Sequence, residues 1–228
     1  MAKHINNPNE DKIEKVGEAV SNTEEFFKKN GKKLSYTGVA LILVAAVVVL
    51  LFLYYYNPLK DEAIAQTFPA EQYFEAQDYE KALNGDGNSL GFAQIIDEYG
   101  AKAGKAVYFY AGACELQLGN AEAAISYLNK YKGKEPVIKA RALACTGDAY
   151  SILGNYETAL GYYLRAAAVE SNIIAPSYLL KAGIICEELG RNDEALKYYR
   201  EIKDRYPQSM EGTEIDKYIS RLEVEVKE

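Results

Sequence analysis

The sequence predicts an all-α protein: an N-terminal single-pass transmembrane helix, then a solenoid of helical hairpins closed by a C-terminal capping helix. Three observations carry that expectation. Residues 37–56, TGVALILVAAVVVLLFLYYY, contain no charged side chain. Beyond Gly104 a glycine–alanine pattern returns at intervals of 35 and then 36 residues. Near the end, Ile215, Tyr218, Ile219 and Leu222 make one apolar stripe at helical spacing.

Residues 1–35 are assigned to a cytoplasmic tail, partly helical. Its first 11 residues, MAKHINNPNED, are polar and expected to be disordered. From Lys12 onward Ile13, Val16, Val20 and Phe27 fall near one helical face, and Ser21 with Glu24 has the spacing of a capping box. Residues 36–56 are the transmembrane helix. An uncharged run of twenty residues is long enough, at about 1.5 Å per residue, to cross a hydrocarbon core of about 30 Å. Tyr54, Tyr55 and Tyr56 close it and Tyr36 opens it, placing amphipathic rings where headgroups lie. Lys28, Lys29, Lys32 and Lys33 crowd the N-terminal flank, whereas Lys60 stands alone beyond the other, so the positive-inside rule keeps the N-terminus in the cytoplasm. The sequence after the apolar run, NPLKDEA, lacks an A-x-A-like cleavage site and there is no lipobox cysteine, which favours an uncleaved anchor.

Charge limits the partners of the chain beyond the anchor. The protein has 26 basic and 33 acidic side chains, of which 7 and 6 precede Tyr36, leaving 19 minus 27, or −8, after the apolar run. An acidic domain argues against nucleic acid and against docking on anionic lipid. Cys114, Cys145 and Cys186 are odd in number and far apart, which suits buried small hydrophobes better than a disulfide framework.

Residues 57–104 read as a leading helix pair. Asn57 and Pro58 mark the exit from the apolar run, and Pro69 is expected to break the helical pattern of Ala63, Phe74 and Tyr79 into two pieces. Gly85–Ser89 is the strongest loop signal, and Leu90–Tyr99 resumes an amphipathic helix. Asp86, Asn88, Gly91 and Asp97 sketch a calcium loop poorly, because Leu90 stands where an oxygen ligand is needed.

Residues 105–208 hold the repeats. Gly112 and Gly119 are seven apart, as are Gly147 and Gly154, and Gly183 and Gly190; Ala124, Ala159 and Ala195 follow each second glycine by five. Small residues let two antiparallel helices approach, and the second glycine ends the first helix in a left-handed conformation. Tyr108, Ile125 and Leu128, then Leu143, Tyr150, Tyr156, Leu160 and Tyr163, then Leu179, Leu196, Tyr198 and Tyr199 are expected to fill the core. Residues 209–228 are expected to cap it.

Through AVYFYAGACELQLGNAEAAISYL, RALACTGDAYSILGNYETALGYYLRA and SYLLKAGIICEELGRNDEALKYYREI the sequence resembles the tetratricopeptide repeat (TPR) superfamily. It departs from the usual pattern at Glu115, Cys186 and Ser171. The layout of tail, anchor and small acidic repeat domain resembles the YfgM-type ancillary subunits of the bacterial Sec translocon. That resemblance implies an inner-membrane protein with its repeats in the periplasm, working beside Sec translocon components and a membrane-anchored periplasmic foldase on secretory or outer-membrane client proteins. A structural scaffold for an envelope or secretion complex is the alternative. The resemblance also places peptide contacts on the first helix of each repeat, at Phe109, Leu116, Arg141, Asp148, Ile152, Leu180, Ile184 and Glu187. This mixed apolar and acidic set suits an amphipathic or nonpolar segment rather than a peptide carboxylate. Tyr36, Tyr54, Tyr55, Tyr56, Lys32 and Lys33 are the expected membrane-interface residues.

No enzyme activity, cofactor or metal is expected. The one histidine is His4, and there is no phosphate loop and no nucleophile–base pair.

Overall fold

The computed structural model describes residues 8–169 and 173–225, which are helical apart from their turns. They divide into two compact units, residues 1–58 and 59–228.

In the first unit α1 runs without interruption from Pro8 to Leu51 and passes into a π-helical turn, Phe52–Tyr56. Residues 8–11 lie inside this helix and not in an irregular segment; the first seven residues, His4 among them, lie outside the described ones. Ser21–Glu24 is helix interior, so it does not cap a helix start. The apolar stretch is long and apolar enough to cross a membrane, and none of it is buried within the protein. Leu41 and Ile42 are each 70% exposed, which a core helix would not leave. Tyr36, Tyr54 and Tyr55 are exposed as well, as are Lys32 and Lys33, while Tyr56 stacks on Phe52 with ring centroids 5.3 Å apart.

Asn57 and Pro58 do not leave the helix; they begin α2, which continues to Glu75 with Pro69 inside it. The expected break at Pro69 is therefore absent. Pro69 has no N–H to offer the carbonyl of Ala65, but Ala65 is on the exposed face, where water can satisfy it. Ala63 and Ala70 on the opposite face are fully buried and hold the helix down. Short helices α3 (Tyr79–Asn84) and α4 (Phe92–Tyr99) follow. Their loop is organised by Asp86, whose carboxylate accepts from the backbone N–H of Asn88 and Ser89 and from the Tyr73 hydroxyl. An aromatic cluster of Phe74, Phe92 and Tyr110 joins this pair to the repeats, with Phe92 stacked on Tyr110 at 5.2 Å.

Three hairpins then stack: α5 (Ala106–Gln117) with α6 (Ala121–Lys130), α7 (Pro136–Ile152) with α8 (Tyr156–Ala167), and α9 (Ala175–Glu188) with α10 (Asn192–Arg205). Gly119, Gly154 and Gly190 end the first helix of each at φ of 85°, 73° and 71°, the left-handed region where a Cβ is strained. Each first glycine faces a large side chain of its second helix. A Cβ on Gly147 would lie 2.8 Å from the Tyr163 ring, and one on Gly112 would lie 2.7 Å from Leu128. Leu128, Leu160, Tyr163, Leu179, Leu196 and Tyr199 are buried; Tyr108, Ile125, Leu143, Tyr150, Tyr156 and Tyr198 pack against them part-buried. Two short helices close the chain, α11 (Met210–Glu214) and α12 (Asp216–Glu225). Ile215 and Leu222 are fully buried there in one cluster with Tyr199 and Ile202.

Candidate functional site

Four helices form a row along one face, because side-chain contacts link each to the next. The Arg141 guanidinium of α7 lies 5.6 Å over the Phe109 ring of α5. From α9, Lys181 reaches back to Asp148 of α7 at 2.5 Å. From α12, Arg221 meets both carboxylate oxygens of Glu187 on α9, at 2.8 and 2.6 Å. First helices of successive hairpins, and then α12, thus present one continuous surface.

Two of these links have a second layer beneath them. The Tyr163 hydroxyl donates to Asp148 at 2.7 Å and the Tyr199 hydroxyl donates to Glu187 at 2.5 Å. Burial pushes both phenols well above the usual tyrosine range, and the neighbouring carboxylates push further. Each tyrosine therefore stays a donor, holding a carboxylate that in turn holds a cation of the following helix. In the first hairpin Leu128 occupies the equivalent place and Ala113 that of Asp148, so the device is missing there.

Among the residues expected to line a groove, Ile152 is 60% exposed and Ile184 39%. They are apolar groups the row offers to a partner, as is Val137 at the start of α7, 42% exposed. Leu116 and Leu180 are part-buried against the core. Asp148 and Glu187 are committed to Lys181 and Arg221, and Arg141 is exposed above Phe109. Phe109 corrects the expectation, being only 2% exposed. Its ring is packed between Tyr110 and Tyr131, because the loop after α6 folds Tyr131 back onto it. Ala144 and Leu180 stand at the same place in the later hairpins, so the first alone carries a ring there.

Sequence reasoning missed Lys181 and Arg221. Their signal was available, since each lies 33 or 34 residues from its acidic partner, close to one repeat length. The cysteines sit within the helical stack. Burial raises the thiols of Cys114 to about 12 and of Cys145 and Cys186 to about 11, so they are protonated at neutral pH and poor nucleophiles. Among the described residues no group of three His, Cys, Asp or Glu side chains could hold a metal ion.

Hairpins of this geometry, each closed by a glycine against a large side chain and offering one helix of each pair to a partner, define a TPR-type solenoid, a fold of protein–protein interaction. Residues 140–209, from α7 through α10, match the sequence model of the tetratricopeptide repeat family. Two solved structures of the protein MamA have a similar fold. One aligns with a TM-score of 0.51 at 17% identity, covering 70% of this chain and 97% of MamA. The other gives 0.53 at 15% identity, covering 73% and 90%. At these identities the likeness is one of fold. No curated protein matches the chain.

Proposed function

We propose that the protein is a membrane-anchored docking subunit that holds segments of other proteins on the row formed by α5, α7, α9 and α12. Exposed Ile152 and Ile184 carry this reading, because they are apolar groups beside Asp148 and Glu187, which are already paired with Lys181 and Arg221. A surface of that kind takes a nonpolar or amphipathic segment, while a cluster of convergent cations would have favoured a peptide carboxylate.

The uncharged run in α1, its lysine-rich N-terminal flank and the acidic repeat domain support placement in a bacterial inner membrane, with the N-terminus cytoplasmic and the repeats in the periplasm. Together with the resemblance to YfgM-type subunits, this supports a role beside the Sec translocon, with a membrane-anchored foldase, in receiving secretory or outer-membrane clients. A photo-crosslinking amino acid at Ile152 or Ile184, introduced in cells, should capture Sec channel components and a periplasmic foldase. Stoichiometric capture of a cell-wall or outer-membrane complex instead would favour a structural scaffold and overturn the translocon role. Protease added to spheroplasts should digest residues 59–228; protection there until lysis would invert the topology.

A further inference from the structure

We propose a second docking site on a different face: a basic cleft at the junction of the first two hairpins that takes an extended acidic segment of a partner protein. Two adjoining cavities of about 320 and 510 Å³ share Lys139, Leu143 and Arg165. Lys132 lines the first and Lys134 the second, so four cations surround one continuous hollow between the C-terminal ends of α6 and α8 and the start of α7.

Among the described residues no aspartate or glutamate lines either cavity, and none of the four cations meets a carboxylate at ion-pair distance. Lys132 donates to the backbone carbonyl of Asn129, and the Arg165 guanidinium lies 4.8 Å over the Tyr162 ring. Glu135, the acidic residue of the segment 130–139, is turned into its own loop, where it accepts from the Lys134 backbone and the Tyr131 hydroxyl.

The next junction provides an internal comparison. A hollow of about 470 Å³ recurs there, which shows that hairpin stacking itself creates the space. Its charge differs. Glu201 stands at the place of Arg165 and Ala175 at that of Lys139, and Arg205 is ion-paired with Glu201. The second hollow is neutralised from within; the first keeps its positive charge in a domain whose residues after the apolar run sum to −8 (19 minus 27). Four like charges around one concavity repel each other, and carboxylates entering between them relieve that repulsion while gaining charge-assisted hydrogen bonds. Leu143, Val169 and the Tyr162 ring give the hollow an apolar wall for an aliphatic side chain. A recessed cleft with such a wall accepts side chains projecting from a strand of peptide better than a plane of lipid headgroups. The acidic surface around it opposes nucleic acid.

The test uses the full chain in non-ionic detergent and a fluorescein-labelled peptide alternating Glu or Asp with Leu. Its control has Gln and Asn in place of the acids. Lys139→Glu with Arg165→Glu should weaken acidic-peptide binding at least about tenfold, as expected when close charge pairs become repulsive. The fold should bear Arg165→Glu, because Glu201 already occupies that place one hairpin on. If reversal lowers the melting temperature, Lys139→Gln with Arg165→Gln replaces it and should weaken binding in the same direction. Lys197→Glu, an exposed charge on α10, should leave affinity within about twofold, since a distant surface charge acts only through a screened field. The proposal is overturned if the acidic peptide fails to bind, if the Gln/Asn peptide binds equally, or if Lys197→Glu weakens binding as much. It is overturned equally if vesicles of anionic phospholipid bind through these cations while the peptide does not.

Discussion

Gly183→Ala tests the packing rule on which the hairpins rest. Gly183 lies in α9 with Tyr199 of α10 across from it, and an added Cβ would fall 2.7 Å from Cζ and 2.9 Å from Cδ1 of that ring. Tyr199 cannot swing aside. Its side chain has no exposed surface, its hydroxyl is held by Glu187 and its ring packs on Tyr218 at 5.3 Å. Gly161, in α8, is an internal control because nothing lies within 4 Å of its added Cβ. Both substitutions gain the same helix propensity, about 1 kcal/mol, so their difference isolates the overpacking cost of about 1–3 kcal/mol. For a chain of this size that difference corresponds to a melting temperature lower for Gly183→Ala than for Gly161→Ala by about 2–4 °C per kcal/mol. Thermal unfolding of both full-length variants in the same detergent, followed by far-ultraviolet circular dichroism, supplies the comparison. A Gly183→Ala protein melting at or above Gly161→Ala would show that the ring is not held as described.

Glu187→Ala removes both the acceptor of Tyr199 and the partner of Arg221, and an unpaired buried hydroxyl costs about 1–3 kcal/mol. Amide hydrogen exchange should therefore accelerate in α12, around Ile219 and Leu222, well before it does in α5. Alkaline pH should weaken the repeats. The phenols of Tyr163 and Tyr199 and all three thiols titrate above their ordinary values of 10.0 and 9.0 when folded, so the unfolded chain releases those protons first. This contribution is complete below pH 9 and should be lost progressively as pH rises through 9 to 12, seen as a falling urea midpoint. Cys145→Ala and Cys186→Ala together should flatten the lower part of that fall. Asp148→Asn keeps an acceptor for Tyr163 but removes the charge facing Lys181; its melting temperature should become less sensitive to salt than that of the parent chain.

Much of the hairpin architecture was legible because its constraints are local and repeated. A left-handed turn demands Gly119, Gly154 and Gly190, and a close crossing demands Gly112, Gly147 and Gly183, so the residue types recur at one spacing. Pro69 misled because its cost depends on where the carbonyl of Ala65 points, which no residue type records. Phe109 misled for a related reason: a position open in a generic hairpin is closed here by Tyr131, a residue of the connecting loop. The ion pairs of the row were readable only as separations of 33 and 34 residues between opposite charges. They were passed over because each acidic residue was judged within its own helix. The cleft charge was likewise visible as Lys132, Lys134 and Lys139 in eight residues, but only stacking brings Arg165 to them.

The uneven linkage of the row has a mechanical consequence. Where α5 meets α7 the crossing contact is a guanidinium over a ring, without the tyrosine–carboxylate–cation chain that ties α7 to α9 and α9 to α12. In an array whose strength is a sum over nearest neighbours, the ion pairs give the later junctions a contribution that salt screens, while the ring of Phe109 at the first is sealed from water. Raised ionic strength would slacken the joins of α9 to α7 and of α12 to α9 and leave that of α7 to α5 as it was.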